Sequence, residues 1–328
     1  MADISVIIVS YKGAERLSSC LRSLDGFSGG KMTTEVIITD NDSQDNAIDL
    51  LKEQYCRFTF ICNNVNGGFA NGCNLGATAA TGEYLLFLNP DTIVTEEAVG
   101  KLVEAAGENP SFTIISCKQV RENGSESIAW GAFPGMWNLT GLQRAIAGVF
   151  SSGSHIRTMP GNNDIWLPDW VSGSVILIRR DDFNAVGGFD DDYWMYYEDV
   201  DLCKKVTDRG GRVAFFRNIT IEHNHGGSSR LNTKTTALTK TEVMISRHLY
   251  ISKHMQGPER FSIHLFMVIN NLISGLIPAI FGLVLPFVPK LFARSRLYSN
   301  LIGYYFKALV RKTWISPRSV NYNGSNIK

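Results

Sequence analysis

No C-x-x-C pair occurs among the six cysteines, at positions 20, 56, 62, 73, 117 and 203, which argues against a structural zinc site or a disulfide framework. Reduced thiols in a cytoplasmic setting fit instead. An excess of charge is also missing. With 32 basic and 31 acidic residues the formal net charge is +1, so nothing points to a nucleic-acid partner and an acidic ligand would have to be held locally. The opening MADISVIIVSYKG lacks a basic lead-in and a small-residue cleavage site, and its apolar run is too short to span a bilayer, so no signal peptide is expected. What the sequence does have is apolar content: 44% over 328 residues, enough for a well-buried core in one large domain plus an appendage.

Apolar, β-rich runs alternate with helix-like stretches. Strands are expected at 4–10, 35–39, 57–62 and 84–88, and helices at 15–24, 46–55 and 70–80. That alternation predicts an α/β fold with a mostly parallel sheet flanked by helices, and ligands in such folds gather at the carboxyl ends of the strands. Each of these ends is polar: Ser10-Tyr11, Asp40-Asn41-Asp42-Ser43, the run from Asn63 to Phe69, and Asn89-Pro90-Asp91. Caps and turns account for any one of them alone. Four at one edge point to a binding site. Pro90 holds Asn89 extended and fixes its own φ, which aims Asp91 back over the edge. A lone carboxylate there suits Mg²⁺ or Mn²⁺ completing its shell with phosphate and water; the bland alternative is that Asp91 caps a helix at 95–107.

Two further constellations follow. Glu198, Asp199 and Asp201 crowd behind Trp194-Met195-Tyr196-Tyr197, an aromatic stretch suited to walling a pocket, although helix starts favour acids in any case and Asp201 could serve as a cap. After an apolar strand at 219–222 comes His223-Asn224-His225-Gly226-Gly227-Ser228-Ser229, which reads as a ligand-binding loop, with Arg230 placed to hold phosphate.

Together these pieces resemble a family 2 glycosyltransferase of the GT-A fold, most similar within that family to bacterial rhamnosyltransferases of cell-surface polysaccharide assembly. The matching stretches are SVIIVSYKGAERLSSCLRSL, TDNDSQDN, NNVNGGFANGCNLGATAATGEYLLFLNPDT, GSVILIRRDDFNAVGGFDDDYWMYYEDVDLCKKVTDRGG and HNHGGSS, covering residues 4 to about 229. The resemblance implies that Asp40 hydrogen-bonds the nucleobase of a nucleotide sugar, with Ser10 and Tyr11 lining the same pocket. Gly68, Phe69 and Asn74 would shape the nucleotide-sugar side of the cleft, joined by Asn89. Asn89-Pro90-Asp91 replaces the family's Asp-x-Asp metal motif, so that Asp91 and His223 would contact the divalent cation. In an inverting transferase one carboxylate takes the proton of the acceptor hydroxyl. The resemblance assigns that role to Asp199, with Glu198 orienting the acceptor or acting as base itself.

Beyond residue 230 the pattern changes. A helix is expected at 235–254, then Leu265 to Pro289 runs 25 residues without a charge. Asn270, Asn271, Ser274 and three prolines argue against one clean spanning helix and allow a broken interfacial hairpin, with a buried helical subdomain as the alternative. Basic and aromatic residues follow, from Lys290 to Trp314, and suit an anionic membrane surface. The expected organisation is a catalytic domain at 1–230, a membrane-associating helical region at 231–315 and a flexible tail at 316–328. The combined expectation is transfer of L-rhamnose from dTDP-rhamnose, or of a sugar from a UDP-sugar, onto a lipid-linked saccharide at the cytoplasmic face of the bacterial inner membrane. Homo-oligomerisation is left open. Two rival classes are a non-catalytic membrane-associated saccharide-binding protein and a nucleotidyltransferase, though the glycine-rich basic loop of the latter is replaced here by Ser10-Tyr11-Lys12-Gly13-Ala14.

Overall fold

The structure, a computed structural model of the chain, describes residues 2–27, 32–44, 46–135, 157–160, 162–224 and 232–323. These divide into two compact units. The first holds 2–133, 157–190 and 198–224, and the second 134–135, 191–197 and 232–323.

In chain order the first unit contains β1 (Ile4–Ser10), α1 (Ala14–Asp25), β2 (Thr34–Asp40), α2 (Asn46–Gln54), β3 (Thr59–Cys62), α3 (Gly68–Ala79), β4 (Tyr84–Leu88), β5 (Thr92–Ile93), α4 (Glu96–Glu108), β6 (Phe112–Val120), β7 (Glu126–Ser127), β8 (Trp130–Gly131), β9 (Arg157–Met159), β10 (Asn162–Leu167), β11 (Trp170–Val171), β12 (Val175–Arg179), α5 (Arg180–Ala185), α6 (Glu198–Asp208) and β13 (Arg212–His223). β1 and β4 are buried at every position, as central strands covered on both faces must be. α1 buries Leu17, Cys20, Leu21 and Leu24, the i, i+3, i+4, i+7 stripe of an amphipathic helix. α3 approaches closely because a Cβ at Gly76 would stand 2.6 Å from Ile7 Cγ2.

Among the described residues the main sheet has 11 strands in the order β3-β2-β1-β4-β12-β6-β13-β10-β9, with β5 beside β13 and β7 beside β6. It is a mixed sheet of Rossmann-like α/β type. Pairing is parallel from β3 through β4, as the alternating pattern predicts, and reverses at β12, which runs antiparallel to both β4 and β6. β6 and β13 are parallel to each other. The double reversal around β12 brings the head of β12 and the tails of β6 and β13 to the same edge as the carboxyl ends of β1, β2 and β4. The third strand starts at Thr59 and not Arg57, because Phe58 turns back to donate its N–H to Tyr55 O (2.9 Å).

The second unit consists of α7 (Thr233–His254), α8 (Gly257–Val284) and α9 (Pro289–Arg311), with the 191–197 stretch and the residues after α9. The aromatic stretch is tied to α7: Ser246 Oγ donates to Met195 O (2.9 Å) and Arg247 Nε to Tyr197 OH (3.0 Å). Tyr196 and Tyr197 both have φ of 70°, a left-handed backbone that costs an L-residue roughly 1–2 kcal/mol.

Two expectations for this region are corrected. Pro278 does not break its helix, and the apolar run leaves the helix only after Val284. Only Pro278 lies inside α8; Pro286 falls in the turn and Pro289 opens α9, where its preset φ and missing N–H are favourable. The polar residues of the run find partners, Asn271 Nδ2 donating to Tyr305 OH (2.8 Å) and Ser274 Oγ to Asn270 O (2.5 Å). α8 and α9 therefore form an antiparallel hairpin, with Ser295 Oγ on Ala279 O (2.7 Å) and Gly275 close against Tyr298. The stretch expected to be a tail is packed as far as it is described. Ser316 Oγ donates to buried Glu242 (2.8 Å), Arg318 lies over Trp194, and Asn321 Nδ2 donates to Asp192 (2.9 Å).

This unit also carries an acid-sensitive core. His248 and His264 share a hydrogen bond (Nδ1 to Nδ1, 2.9 Å) and both stack on Trp314 at 4.4 Å. Burial pushes His248 down to about 3 and His264 down to about 4, and pushes Glu242 up to about 7. The signs oppose. A histidine depressed in the fold contributes stability present above its unfolded value near 6.5 and lost as pH falls; a raised glutamate contributes stability present below its unfolded value near 4.5 and lost as pH rises through about 7. Urea titrations at pH 7 and pH 5 separate the two. His248→Gln should lose less stability on acidification than the parent, by about 2 kcal/mol, and Glu242→Gln should lose more by a similar amount. Equal pH slopes in all three proteins would remove these groups from the account.

Candidate active site

The candidate residues collect where β1, β2, β4, β6 and β13 end and β12 begins. The loop ends are laced by backbone and amide groups. Asn41 N donates to Ser10 O (2.9 Å), Asn41 Nδ2 to Gly68 O (2.8 Å), and Asn63 Nδ2 to Asn41 Oδ1 (3.1 Å). These asparagines thus have the structural role that turn chemistry allows. Ser10 is fully buried and its Oγ has no hydrogen-bond partner among the described residues, while Tyr11 is exposed with Lys12 Nζ 5.3 Å from its ring centre. The Asp40 carboxylate accepts from Ser43 N (3.1 Å) and Ser43 Oγ. Gly68 opens α3 with φ of 87°, a conformation glycine adopts at little cost. Asn74 is committed to the backbone of Phe189, its Nδ2 donating to the carbonyl (2.8 Å) and its Oδ1 accepting from the N–H (3.0 Å). Phe69 packs edge-on to Phe189 at 6.0 Å.

The Asn89-Pro90-Asp91 turn is built as its proline demands. Thr92 N donates back to Asn89 O (3.2 Å), a β-turn with Pro90 at its second position. β5 then pairs with the end of β13, Thr92 opposite His223, and Asn224 N donates to Asp91 O (3.0 Å). Asp91 does not cap α4; Thr95 does, its side chain accepting from Ala98 N (3.2 Å). That frees the Asp91 carboxylate for the edge, where Oδ1 stands 3.2 Å from His223 Nε2. Asn89 Nδ2 is 3.4 Å from the same nitrogen. Among the described residues no cluster of three or more His, Cys, Asp or Glu is placed to hold a metal. One carboxylate and one imidazole nonetheless fit a hard divalent cation that takes most of its ligands from phosphate and water. His225, Arg230 and the loop between them lie outside the described residues.

The acid pair sits at the start of α6. Asp199 Oδ2 accepts from Gly173 N (2.8 Å) and Oδ1 from Val200 N (2.8 Å). Glu198 is buried and its Oε2 has no hydrogen-bond partner among the described residues. Burial raises Glu198 well above the usual carboxylate range, and the neighbouring Asp199 charge adds to it. Burial raises Asp199 as well, opposed by the two N–H donors. Two N–H donors thus favour the ionised form of Asp199, while Glu198 Oε2 has no such donor among the described residues. Asp201 is buried within the first turn, 3.6 Å from Lys205 Nζ.

Three residues of this edge carry no site assignment in the sequence reading: Gly173, Ser174 and Gln119. Gly173 holds Asp199, and a Cβ there would stand 3.1 Å from Phe69 Cε1. The next residue, Ser174, accepts from Asn89 N (3.1 Å) and donates through Oγ to Gln119 Oε1 (2.8 Å), which in turn lies 2.7 Å from His223 Nδ1. Adjacent Cα atoms are about 3.8 Å apart, so two consecutive residues tether the acid pair and the Asp91–His223 pair. A glutamine inside the apolar strand FTIISCKQV was the one available sequence signal for Gln119.

Comparison with known proteins gives matches over the same stretches. Residues 5–157 match the Glycosyl transferase family 2 profile and residues 165–226 match the profile described as N-terminal domain of galactosyltransferase. The chain is 25% identical over 248 residues to an N-acetylglucosaminyl-diphospho-decaprenol L-rhamnosyltransferase of Mycobacterium tuberculosis, covering 70% of this chain and 78% of that protein. It is 23% identical over 223 residues to Rhamnosyltransferase WbbL of Escherichia coli, covering 65% and 80%. Among solved structures, the mannosyltransferase PcManGT of Pyrobaculum calidifontis, in complex with GDP-Man and Mn²⁺, superposes with a TM-score of 0.55 at 15% identity, over 95% of this chain and 88% of that one. GalNAc-T7 with UDP, GalNAc and Mn²⁺ gives 0.53 at 16% identity; the match spans 81% of this chain and 54% of that longer one.

Proposed function

The chain is a glycosyltransferase of the GT-A, family 2 type, and from that premise we propose that it transfers L-rhamnose from dTDP-rhamnose, with inversion, onto a lipid-linked saccharide at the cytoplasmic face of the bacterial inner membrane. The sugar and acceptor classes rest on the relatives whose names describe rhamnosyl transfer, one of them onto a diphospho-decaprenol carrier. Asn89-Pro90-Asp91 in place of Asp-x-Asp supports the same choice. The observation that carries the catalytic reading is the Gly173-Ser174 tether, which anchors an ionisable acid pair beside a carboxylate–imidazole pair.

Asp199 is the base. Its two N–H donors favour the ionised form while Glu198 keeps the proton. Asp199 takes the hydrogen of the acceptor hydroxyl as that oxygen bonds to the anomeric carbon. The bond to the diphosphate oxygen breaks on the opposite face and its electron pair leaves with the nucleoside diphosphate. Ser10, Tyr11 and Asp40 receive the nucleobase, and Gly68, Phe69, Asn74 and Asn89 shape the sugar-diphosphate side. Asp91 and His223 would hold Mg²⁺ or Mn²⁺, which when bound would supply positive charge to offset the negative charge developing on the departing diphosphate. Turnover of a panel of dTDP- and UDP-sugars, with and without a lipid-linked acceptor, tests the proposal. A UDP-sugar preference would replace the donor, and no turnover of any donor would favour a saccharide-binding role.

The cation assignment has its own expected result. Asp91→Ala and His223→Ala should each weaken nucleotide binding in Mg²⁺ or Mn²⁺ by about tenfold or more, and leave binding in chelator nearly as in the parent. Calorimetric titration of the nucleoside diphosphate reads both. Parent affinity unchanged by chelator would return Asp91 to the status of a turn residue.

The hairpin of α8 and α9 is the proposed membrane contact. Phe261, Leu265, Ile269, Ile273, Ile277, Ile280 and Val284 are exposed along α8 at three- or four-residue spacing, while its covered side packs on neighbouring helices. α9 carries exposed Lys290, Arg294, Arg296, Lys307 and Arg311 along its length, which suits headgroups and not a hydrocarbon interior. The hairpin is therefore read as lying in the interface, with the helix pair parallel to the membrane surface.

A further inference from the structure

We infer that Gln119 is a positioning residue that sets the tautomer of His223, so that Nδ1 carries the hydrogen and Nε2 presents its lone pair toward Asp91. The inference rests on the reading of Asp91 and His223 as a cation site and assigns to Gln119 the task of preparing it.

The imidazole has one hydrogen when neutral, and the group facing each nitrogen decides where it sits. Gln119 is fully buried on β6, so its amide orientation is held by packing and not by water. Its Oε1 accepts from Ser174 Oγ (2.8 Å), and the same oxygen lies 2.7 Å from His223 Nδ1, so Nδ1 must donate. Ser174 Oγ also lies 3.0 Å from Ser172 Oγ, which accepts from Ser174 N (3.4 Å). On the far side of the ring, Asn89 Nδ2 faces Nε2 at 3.4 Å, a donor that calls for a lone pair there. Asp91 Oδ1 then faces the same lone pair at 3.2 Å. Two acceptors at that distance repel unless a proton or a cation joins them, and with the ring hydrogen held on Nδ1 the neutral ring leaves that place to a cation.

Gln119 Nε2 is buried without a hydrogen-bond partner among the described residues. Rotating the amide by half a turn would give Ser174 and Nδ1 an NH₂ donor, leave only an oxygen unpaired, move the ring hydrogen to Nε2 and let it donate to Asp91. That alternative satisfies the buried groups better and abolishes the lone pair a cation needs. Metal-ligating histidines commonly have their second nitrogen fixed by such an outer partner, and loss of the partner costs about 10–100-fold in affinity.

Two measurements on the full-length chain test the inference. The first is the ¹⁵N shift pattern of the His223 ring in metal-free protein, assigned by its loss in His223→Ala. The expected result is a protonated Nδ1 and an unprotonated Nε2. A hydrogen on Nε2 in the parent overturns the inference outright, whatever the variants do. The second is Mn²⁺ binding with a nucleoside diphosphate, followed by the electron paramagnetic resonance of free Mn²⁺. Gln119→Leu should bind Mn²⁺ about 10–100-fold more weakly and shift the ring hydrogen to Nε2, while Gln119→Glu, which can only accept, should keep both the tautomer and the affinity. Parent-like affinity in a folded Gln119→Leu protein overturns the positioning role. If Gln119→Leu does not fold, the parent tautomer and Gln119→Glu decide. If the parent itself binds no Mn²⁺, the cation reading fails, and the ring tautomer still tests what Gln119 does to His223.

Discussion

Asp199→Asn is expected to lower turnover by about two to four orders of magnitude, as loss of a general base does, while nucleotide-sugar binding stays within roughly twofold of the parent. The amide keeps the shape and still offers an oxygen to Gly173 N, so the tether at 173–174 should survive. What is lost is the ability to take a proton. Glu198→Gln is the control. A residue that already holds a proton gives up little by becoming an amide, so its turnover should fall by about tenfold or less. Pre-steady-state transfer to the acceptor, with donor affinity measured separately, distinguishes the two. Near-parent turnover in Asp199→Asn together with collapse in Glu198→Gln would exchange their roles.

The second large effect is expected at the membrane. Replacing Ile273, Ile277 and Phe281 together with glutamine should weaken vesicle binding on the order of 10³-fold, since each buried large apolar side chain contributes about 1.5–3 kcal/mol. All three are more than half exposed in the protein, at 70%, 64% and 54%, so the fold does not depend on burying them. Thermal unfolding should be nearly unchanged, which makes this a cleaner test than truncation. Removing the chain from 260 onward would also strip Trp314 from His248 and Ser316 from Glu242, opening the core of the second unit. Flotation with anionic vesicles, at low and high salt, is the measurement. Parent-like flotation of the triple variant would mean that the exposed stripe meets something other than lipid.

Much of the first unit was legible because its signals are local. β1 and β4 have the predicted ends, Ile4 to Ser10 and Tyr84 to Leu88, since a run buried on both faces is continuous in sequence and stops where polar residues begin. The Asn89-Pro90-Asp91 turn was legible for the same reason: the ring of Pro90 restricts φ wherever it is placed. The prolines of the C-terminal run misled because their effect depends on position within a helix, and only the packed hairpin shows that Pro286 falls in the turn and Pro289 at a helix start, where proline is tolerated. Residues 316–323 look like tail because they are polar, yet their hydroxyl and amide groups bond to residues far back in the chain.

By itself the sequence determined the parallel half of the sheet, the polar character of its carboxyl edge, and which acids and histidine are candidates, all from periodicity, turn chemistry and backbone restriction acting over a few residues. Only the tertiary structure decided that β12 runs backwards between β4 and β6, that Gly173 and Ser174 therefore stand between the two acidic constellations, and that a glutamine on β6 faces His223 across 104 positions of chain. Those relations are set by which strands pair and in what register, and pairing is chosen by the sum of buried surface and satisfied hydrogen bonds over the whole unit, a quantity no short stretch of sequence contains.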